Sequence, residues 1–430
     1  MPELMNASAV SESAADALPQ NSSRDGKFTC VHYLREIRNE LGGVVTAVVD
    51  LCQSMAARGH RIKIITCDAK DVPTHWSEPG LNWPQVFEAP ASRLSPLLLS
   101  REGHRKFRDL ISDADAVHLH TPWELSNLSL GRAASRRGIP YIATVHGMLD
   151  EWSMSQKPLK KKTFLRLCGQ RFFSQATTVH FTAQAEMEQA MRWIPAEGRA
   201  RVQCYALDLS SYSPLPGPEP ALKVFPELRN DRRKLLFLSR LHPKKGVELL
   251  LHAASILKTT SLPFQLIIAG PGDDSYVGQL KRLAASLGVQ DVTFFPGMVR
   301  GTEKRSLFQL ADVFVLPTYQ ENFGLVLAEA MACGTAVITT RGTDIWQELQ
   351  NGGARIVEYS SQEIANEVVD VTSDTERCLA IGQECLKFVY RWLDRERVSA
   401  AYESMYLDAI ARGSAKVLIS DRGSNAPWVA

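Results

Sequence analysis

The sequence contains no long apolar run. No stretch of about 18 or more uninterrupted apolar residues occurs in it, which excludes a conventional membrane-spanning helix. Residues 1–26 lack a basic start followed by an apolar segment, so we predict neither a secretory signal nor a membrane anchor there. They are rich in Ser, Ala and Asn and predict a disordered arm. We therefore expect a cytoplasmic protein, whose only membrane contact would be peripheral, on the inner face of the cell membrane.

The sequence also lacks excess charge and paired cysteines. A formal net charge of +2 is too small to indicate nucleic acid as a partner. The eight cysteines are scattered, without a Cys-x-x-Cys pair, and are typical of small core residues in a reducing cytoplasm. No Gly-x-Gly-x-x-Gly motif follows the first predicted strand, which argues against an oxidoreductase.

What the sequence does contain is a long alternation of strand-like and helix-like segments. A chain of 430 residues is too long for one ordinary core, so two domains are expected. The first unit is a strand over 28–34, a Gly42-Gly43 turn, a helix over 44–58 and a strand over 62–67, which predicts a parallel sheet. We predict a disordered arm over 1–26, a first domain over 27–208, a proline-rich linker over 209–222, a second domain over 223–395, a helix over 396–412 that packs back on the first domain, and a loose tail over 413–430.

The predicted fold class is α/β, with two Rossmann-like, doubly wound domains that face each other across a cleft. In the second domain we predict strands over 234–239, 264–269, 292–295, 313–316 and 336–339, with helices between them. Ligands of such folds bind outside the carboxyl ends of the strands. Glu321 and Gly324 follow the strand over 313–316, so we place them on the rim of the cleft.

A basic turn follows the first strand of the second domain. It reads Ser-Arg-Leu-His-Pro-Lys-Lys-Gly from Ser239 to Gly246 and opens a helix. Arg240 can bind two phosphate oxygens, and Lys245 supplies a mobile point charge, so the turn predicts an anion site. The alternative is a solvated basic turn. Gly270, at the end of the next strand, lets the backbone approach a ligand closely.

Two glutamates lie eight residues apart around the start of a predicted helix. Glu321 precedes the helix and Glu329 lies in its second turn, so the two carboxylates can address different parts of one extended ligand. The alternative is that Glu321 only complements the helix dipole and Glu329 lies on a solvated face. The spacing alone does not separate the two interpretations.

These segments together resemble glycosyltransferase family 4. The resemblance is carried by Arg240 with Lys245-Gly246, by Ala-Gly-Pro-Gly over 269–272, by Phe-Pro-Gly over 295–297, and by Glu-Asn-Phe-Gly and Glu-Ala-Met-Ala-Cys-Gly over 321–334. The first domain is similar more loosely, through Gly42-Gly43 and Thr-Val-His-Gly over 144–147. The resemblance implies the GT-B fold and transfer of a sugar from a nucleotide-diphosphate donor, usually with retention of anomeric configuration.

The resemblance also implies roles for individual residues. Arg240 and Lys245 would hold the donor diphosphate, Glu321 would contact hydroxyl groups of the donor sugar, and His146 would face that sugar. The other implied contacts are the backbone at Phe323, Gly324 and Leu325 for sugar or phosphate, Glu329 for the ribose, Gly297 and Met298 for the base, and Gly43 for the diphosphate from the first domain. For His146 the alternative is a strand-end histidine bonded to backbone.

We expect no metal and no cofactor beyond the nucleotide sugar, which is a co-substrate. GT-B enzymes use protein cations where other transferases use a divalent ion, and Asp113-Ala114-Asp115 is better interpreted as a surface turn than as a metal motif. One segment departs from the family. Cys204 to Asp208 stands where a Pro-Asn-Gly-Val-Asp-like run is common, so the local turn and its contacts in the cleft are in question.

The segment over 157–173 is basic, with no acidic residue and with interleaved Phe and Leu. Such a helix can lie on an anionic membrane surface, near a lipid-linked acceptor. The alternative is a solvated basic face whose apolar residues belong to the core.

The predicted function is transfer of a hexosyl unit, with retention, from a nucleotide-diphosphate sugar to a saccharide or lipid-linked saccharide, in bacterial exopolysaccharide or envelope polysaccharide synthesis. A sugar-nucleotide epimerase of the same architecture and a catalytically silent polysaccharide-assembly protein remain as alternatives.

Overall fold

Two parallel β-sheets, each built from alternating strands and helices, form the framework of the chain. The computed structural model describes residues 26–79, 81–93 and 95–423. Residues 1–25 of the predicted arm and 424–430 of the predicted tail lie outside the described residues. The two sheets confirm the predicted α/β class with two doubly wound units.

The first sheet has seven strands in the order β3-β2-β1-β6-β7-β8-β9, all paired in parallel. A small antiparallel pair, β4 and β5, stands beside it. The strands are β1 Thr29–Tyr33, β2 Arg61–Thr66, β3 Gln85–Glu88, β4 Ala91–Ser92, β5 Ser95–Leu99, β6 Ala116–His120, β7 Tyr141–Thr144, β8 Thr178–Phe181 and β9 Ala200–Val202. The helices are α1 Gly43–Ala57, α2 Arg101–Leu110, α3 Leu125–Arg136, α4 Glu151–Ser155, α5 Pro158–Phe164, α6 Gln170–Gln175 and α7 Gln184–Ala190.

The second sheet has six parallel strands in the order β12-β11-β10-β13-β14-β15. Its strands are β10 Arg233–Leu238, β11 Phe264–Ala269, β12 Thr293–Gly297, β13 Val313–Leu316, β14 Ala336–Thr340 and β15 Arg355–Val357. The remaining helices are α8 Glu219–Val224, α9 Val247–Leu257, α10 Asp274–Ser286, α11 Gly301–Leu310, α12 Leu325–Ala332, α13 Trp346–Asn351, α14 Ser361–Thr372, α15 Thr375–Trp392 and α16 Arg395–Gly423.

The strand order reverses once in each sheet, beside β1 in the first and between β10 and β13 in the second. At such a switch point the loops that leave neighbouring strands run in opposite directions and open a crevice at their carboxyl ends. The loops after β10 and β13 carry the charged site residues that the sequence predicted in the second domain.

The last helix, α16, returns to the first sheet and packs beside α1. Ser399 Oγ lies 2.5 Å from Ser54 Oγ, and Glu403 accepts hydrogen bonds from Arg58 Nε at 2.9 Å. Tyr402 and Tyr406 of α16 are buried in the same apolar cluster as Cys30 and Ile64 of the sheet. This part of α16 therefore belongs to the first domain's core.

The prediction of a loose tail from residue 413 is wrong for the described residues, because α16 continues to Gly423. Helix formers such as Ala415 and Lys416 follow Gly413 and extend the helix. Gly413 itself crosses Pro140 closely: a Cβ at that position would lie 2.8 Å from the Pro140 ring. The predicted linker over 209–222 is also partly ordered, since it contains a 3-10 turn at Ser210–Tyr212 and the first turn of α8.

Candidate functional site

The basic turn after β10 is held against the end of β13. His242 caps the short 3-10 turn at Pro243–Lys245 by accepting a hydrogen bond at Nδ1 from the Lys244 N–H at 3.1 Å. The Lys244 carbonyl accepts a hydrogen bond from the Tyr319 N–H at 2.9 Å. Gly246 has φ +69°, and a Cβ there would lie 1.9 Å from the Pro317 carbonyl oxygen, so only glycine fits.

Lys245 and Glu321 form an ion pair across these two loops. Their side chains retain 14% and 18% of their exposure, so the pair is largely withdrawn from water. Burial, and then the charges of Lys244 and Arg240, lower the pKa of the Lys245 ammonium to about 7. The Glu321 carboxylate opposes this shift by favouring the charged form. Arg240 is exposed in the same turn, and its charge and that of Lys244 lie near enough to act on Lys245.

The loop that carries Glu321 is fixed by its own backbone. The Glu321 N–H donates to the Gly342 carbonyl and its carbonyl accepts from the Asp344 N–H, each at 2.8 Å. Gly324, with φ +62°, then turns the chain into α12, and a Cβ there would lie 3.0 Å from Glu321 Cγ. The start of α12, where the first N–H groups of a helix have no partner within the helix, thus lies beside the Glu321 side chain.

Glu329 lies on α12, further from the helix start. Its side chain is 14% exposed, and it forms an ion pair with Lys304 Nζ at 2.5 Å. The interpretation of Glu329 as a member of a solvated face is therefore wrong, because the carboxylate is mostly covered and already paired. A carboxylate held in this way has further lone pairs to accept hydroxyl groups.

The ends of β10, β11 and β12 meet at two predicted glycines. The Gly270 N–H donates to the Gly297 carbonyl at 2.7 Å, and a Cβ on Gly270 would lie 1.9 Å from the Ser239 carbonyl oxygen. Gly270 thus serves close packing between loops rather than leaving an open approach. Gly297 is exposed with φ +77° and open space around it, and Met298 beside it is 46% exposed, so both are accessible.

Gly43 brings the first domain against α12. It begins α1, and a Cβ at this position would lie 3.2 Å from Leu325 Cδ1. The start of α1 and the start of α12 therefore face each other across the cleft. Phe323, two residues before Leu325, is buried and packs against Tyr205, with ring centroids 5.0 Å apart and the rings tilted by 59°.

His146 lies just beyond β7, with φ 55° and 7% exposure. Both of its ring nitrogens have partners: Nδ1 lies 2.9 Å from the Tyr205 hydroxyl and Nε2 lies 3.1 Å from His120 Nδ1. Burial lowers the pKa of the His146 imidazole to about 3, so the ring is neutral near pH 7. Because both partners are side chains, His146 does not fit the alternative of a strand-end histidine bonded to backbone.

Sequence reasoning missed most of the side chains that join the two domains. Lys244 Nζ lies 3.2 Å from Asp150 Oδ2 and sits over the Trp152 ring, and Asn322 Nδ2 donates to Thr182 Oγ1 at 2.8 Å. Such pairs carry no local signature, because their partners are distant in the sequence. The one sequence signal for these contacts was the segment from Cys204 to Asp208, which differs from the usual run of the family and contains Tyr205, a residue that packs on Phe323.

Asp344 is another residue that joins the two domains, and one of its carboxyl oxygens is buried without a partner among the described residues. Its Oδ1 accepts hydrogen bonds from Gln189 and Gln320 at 2.8 Å, whereas its buried Oδ2 has no partner in the described part of the chain. Burial, together with the charges of Glu186 and Asp150, raises the pKa of this carboxyl to about 8. Asp344 therefore joins α7 to the loop after β14 while carrying an unsatisfied acceptor.

In the segment over 157–173, some apolar residues belong to the core and others are exposed. Phe172 and Phe173 are buried in the core, whereas Leu159 and Leu167 are 82% and 73% exposed. The helix at Pro158–Phe164 buries none of its residues. Among the described helices, none combines the length and apolar character needed to cross a bilayer.

One group of potential metal ligands occurs among the described residues, which the sequence did not predict. The ring nitrogens of His32, His118 and His120 lie within 4.8 Å of one another and are buried. Each of the three rings already hydrogen-bonds at both nitrogens. Asp113, from the Asp-x-Asp sequence, pairs instead with Lys63 and Arg61.

Two family models match the chain, one in each domain. The model described as "Glycosyl transferase 4-like domain" matches residues 42–205, and the one described as "Glycosyl transferases group 1" matches residues 219–387. A D-inositol 3-phosphate glycosyltransferase 2 from Catenulispora acidiphila is 26% identical over 375 residues, which cover 82% of this chain and 87% of that protein. A D-inositol 3-phosphate glycosyltransferase from Rhodococcus opacus is 24% identical, with 80% of this chain and 81% of that protein covered.

Solved structures share the arrangement of both domains. Anabaena Alr3699/HepE in complex with UDP and glucose superposes with a TM-score of 0.70 at 18% identity, covering 87% of this chain and 98% of that one. Sucrose-phosphate synthase from Thermosynechococcus elongatus gives a TM-score of 0.70 at 19% identity, with 90% and 100% covered. At these identities the similarity concerns the fold alone.

Proposed function

Because the chain belongs to the group 1, family 4-type glycosyltransferases and has the GT-B fold, we propose that it transfers a hexosyl unit, with retention, from a nucleotide-diphosphate sugar to a saccharide or lipid-linked saccharide. The observation that carries this proposal is the partly buried ion pair of Lys245 and Glu321 at the switch point of the second sheet, beside Arg240. It combines cations for a diphosphate with a carboxylate for sugar hydroxyls.

The reaction explains why these charges are needed. When the glycosidic C–O bond breaks, the nucleoside diphosphate leaves as an anion and the sugar becomes oxocarbenium-like. Lys245 and Arg240 neutralise the leaving group, and Glu321 accepts hydrogen bonds from the sugar. Before the donor binds, Glu321 compensates the Lys245 charge, so the pair must rearrange as phosphate takes over that role. Retention follows front-face substitution, in which the leaving phosphate oxygen deprotonates the acceptor hydroxyl, so no protein nucleophile is required.

Further contacts complete the donor site. Glu329 accepts from the ribose hydroxyls, the accessible Gly297 and Met298 lie beside the base, and Gly43 approaches the diphosphate from the first domain. The structural relatives solved with UDP, or with UDP and glucose, support a uridine nucleotide as the first donor to test. No metal or cofactor has a part in this scheme.

The acceptor is proposed to be a saccharide or lipid-linked saccharide of exopolysaccharide or envelope synthesis, reached at the inner face of the cell membrane. The exposed Leu159 and Leu167 on a basic surface support a peripheral contact with anionic lipid. A second acceptor class, a phosphorylated cyclitol, is favoured by the names of the relatives that cover most of this chain.

Incubation of the purified protein with UDP-hexoses, with and without acceptors, tests the proposal. Transfer or slow hydrolysis with retained configuration, read by NMR of the released sugar, is the expected result. Interconversion of one UDP-hexose into its epimer without acceptor would instead identify an epimerase. Donor binding without turnover, in the presence of membranes and acceptors, would identify a silent assembly protein.

A further inference from the structure

Five buried histidines lie at one face of the first sheet, beneath α1 and α16. They are His32, His118, His120, His146 and His180, none more than 7% exposed. The strand register places them side by side: His32 pairs with His118, and Thr144 lies between His120 and His180. Burying an imidazole costs folding free energy unless both ring nitrogens are hydrogen-bonded. The partners of each ring nitrogen therefore show how these side chains are held.

One half of the pattern starts at a backbone carbonyl. The Gln203 oxygen lies 2.9 Å from His180 Nε2, and His180 Nδ1 lies 2.9 Å from Thr144 Oγ1. Thr144 Oγ1 lies 2.6 Å from His118 Nε2, and His118 Nδ1 lies 2.7 Å from the Tyr406 hydroxyl of α16. Apart from His180 Nε2, which the Tyr402 hydroxyl also approaches at 3.4 Å, each group has one partner on either side, so these bonds form a chain rather than a cluster.

The other half continues from the same tyrosine to the cleft. The Tyr406 oxygen lies 3.4 Å from His32 Nε2, and His32 Nδ1 lies 3.1 Å from His120 Nε2. His120 Nδ1 lies 3.1 Å from His146 Nε2, and His146 Nδ1 lies 2.9 Å from the Tyr205 hydroxyl. The chain therefore runs without interruption from Gln203 to Tyr205.

The direction of every bond is set by the first one. A carbonyl oxygen can only accept, so His180 must carry its proton on Nε2, and its Nδ1 must accept from the Thr144 hydroxyl. The Thr144 oxygen then accepts from His118 Nε2–H, and the same step repeats through Tyr406 to His146. All five neutral imidazoles are thereby placed in the Nε2–H form, and the Tyr205 hydroxyl donates the final bond.

At its far end the chain meets the second domain. The Tyr205 ring packs on Phe323, and Asn322, next to Phe323, donates a hydrogen bond to Thr182 Oγ1 of the first domain. Gly147, next to His146, packs so closely against Asn322 that a Cβ would lie 2.4 Å from the Asn322 Cβ. The corner formed by His146 and Gly147 therefore touches the loop that carries Glu321.

We propose that this hydrogen-bonded chain is a positioning device, which holds the corner at His146 and Gly147 against the loop at Glu321 and makes Tyr406, on the C-terminal helix, a positioning residue for sugar transfer. The role in transfer rests on the proposed function, whereas the directed chain does not. The direction of each bond depends on the bond before it. Losing a middle member therefore removes the constraint on the tautomers of all the histidines between the break and the cleft. Ordinary core packing would not transmit a change in that way.

The test is Tyr406→Phe, with Tyr402→Phe as the matched control. Tyr406 is a middle member of the chain, whereas the Tyr402 hydroxyl only flanks His180 Nε2 at 3.4 Å. Removing the Tyr406 hydroxyl leaves His118 and His180 anchored by Gln203. It frees His32, His120 and His146 to reverse their bonds and adopt the Nδ1–H form, with Tyr205 now accepting.

Nitrogen-15 NMR of histidine-labelled protein reads these tautomers directly and needs no turnover. We expect the five histidines of the chain to be in the Nε2–H form in the wild type and in Tyr402→Phe, and we expect Nδ1–H signals from His32, His120 and His146 in Tyr406→Phe. In the transfer assay, Tyr406→Phe should lower kcat about tenfold with little change in donor KM, because donor contacts remain while the closed geometry loosens. Tyr402→Phe should leave both constants unchanged.

A buried Nδ1–H histidine in the wild type, or an unchanged His146 tautomer in Tyr406→Phe, would overturn the directed chain. Tautomers that shift as expected while kcat stays unchanged would overturn the positioning role. If Tyr406→Phe does not fold, Thr144→Val breaks the chain between His180 and His118 and must release the four histidines beyond it. A wild type without turnover on any donor refutes the proposed function, and the tautomer result still decides the chain.

Discussion

Lys245 and Glu321 come from loops 76 residues apart in the sequence, yet their side chains pair directly at the switch point of the second sheet. Replacing Lys245 or Glu321 by Ala should lower kcat by about a hundredfold or more, since each removes one charge from the site where charge develops. The measurement is steady-state transfer of the preferred UDP-hexose.

The matched control for this pair is Lys258→Ala, which removes an exposed ion pair with Asp291 at 2.8 Å and should leave kcat unaltered. Glu321→Gln should be less damaging than Glu321→Ala, because an amide still contacts hydroxyl groups. Near-normal rates in both alanine variants would refute the assignment of this site.

Glu329 should act on donor affinity rather than on the chemical step. Glu329→Ala removes a mostly buried acceptor for the ribose, so the donor KM and the UDP dissociation constant should each rise about tenfold, while kcat changes little. Calorimetric titration with UDP measures the dissociation constant. A Lys304→Ala control removes only the partner of Glu329 and should weaken UDP binding less; equal losses in both variants would assign the effect to the ion pair itself.

The buried histidines predict acid instability. Burial lowers the pKa of His32 and His146 to about 3 and of His180 to about 4, and it lowers the pKa of His118 and His120 well below the usual value. The unfolded chain therefore binds more protons than the folded chain below about pH 6.5. The free energy of unfolding should fall as pH drops from 6.5 towards 3, at up to about 1.4 kcal/mol per pH unit for each histidine.

Carboxyl groups whose pKa is raised by burial oppose this trend; they are Asp50, Glu124, Glu186, Asp344 and Glu367. Burial raises the pKa of Asp50 to about 7 and, with Glu186 and Asp150, that of Asp344 to about 8, so the folded chain gains protons there as pH falls. Below pH 6 the histidines of the chain, together with His60 and His242, whose pKa burial also lowers, outweigh these carboxyl groups. Urea unfolding at pH 7, 6 and 5 measures the slope, with the exposed His252→Gln as a control that should change nothing. Constant stability from pH 7 to 5 would contradict the buried neutral chain.

Membrane contact through the segment over 157–173 should depend on its two exposed leucines. Leu159→Glu combined with Leu167→Glu removes apolar surface that lies outside the core and reverses local charge, so sedimentation with anionic vesicles should be lost while donor hydrolysis is retained. Leu379→Glu, on an exposed leucine of α15, is the control. Equal vesicle binding by both proteins would exclude this surface as the lipid contact.

The two loops at the switch point of the second sheet could be predicted because their signals are local. Arg240, Lys245 and Gly246 lie in one turn, and Glu321, Gly324 and Glu329 in one strand-to-helix segment, so composition and spacing place each group at the carboxyl end of a strand. The structure adds the ion pair between the two loops, which depends on β10 and β13 being neighbours.

The histidine chain could not be predicted in the same way. The spacing of His118 and His120 puts both on one face of a strand, but their partners come from β1, from the loop after β7 and from α16, and those contacts depend on strand order and helix docking. The two interpretations of the segment over 157–173 could not be separated for a related reason, because periodicity does not reveal that Phe172 enters the core while Leu167 stays exposed.

The most direct test of the central claim is a thermal-shift and turnover screen of UDP-hexoses on wild type and Lys245→Ala. A donor that binds the folded chain raises its melting temperature by mass action. We predict that at least one UDP-hexose stabilises the wild type and is transferred or hydrolysed with retained configuration, and that Lys245→Ala folds normally but loses the turnover. Absence of any shift and any turnover with every nucleotide sugar and acceptor would contradict the account.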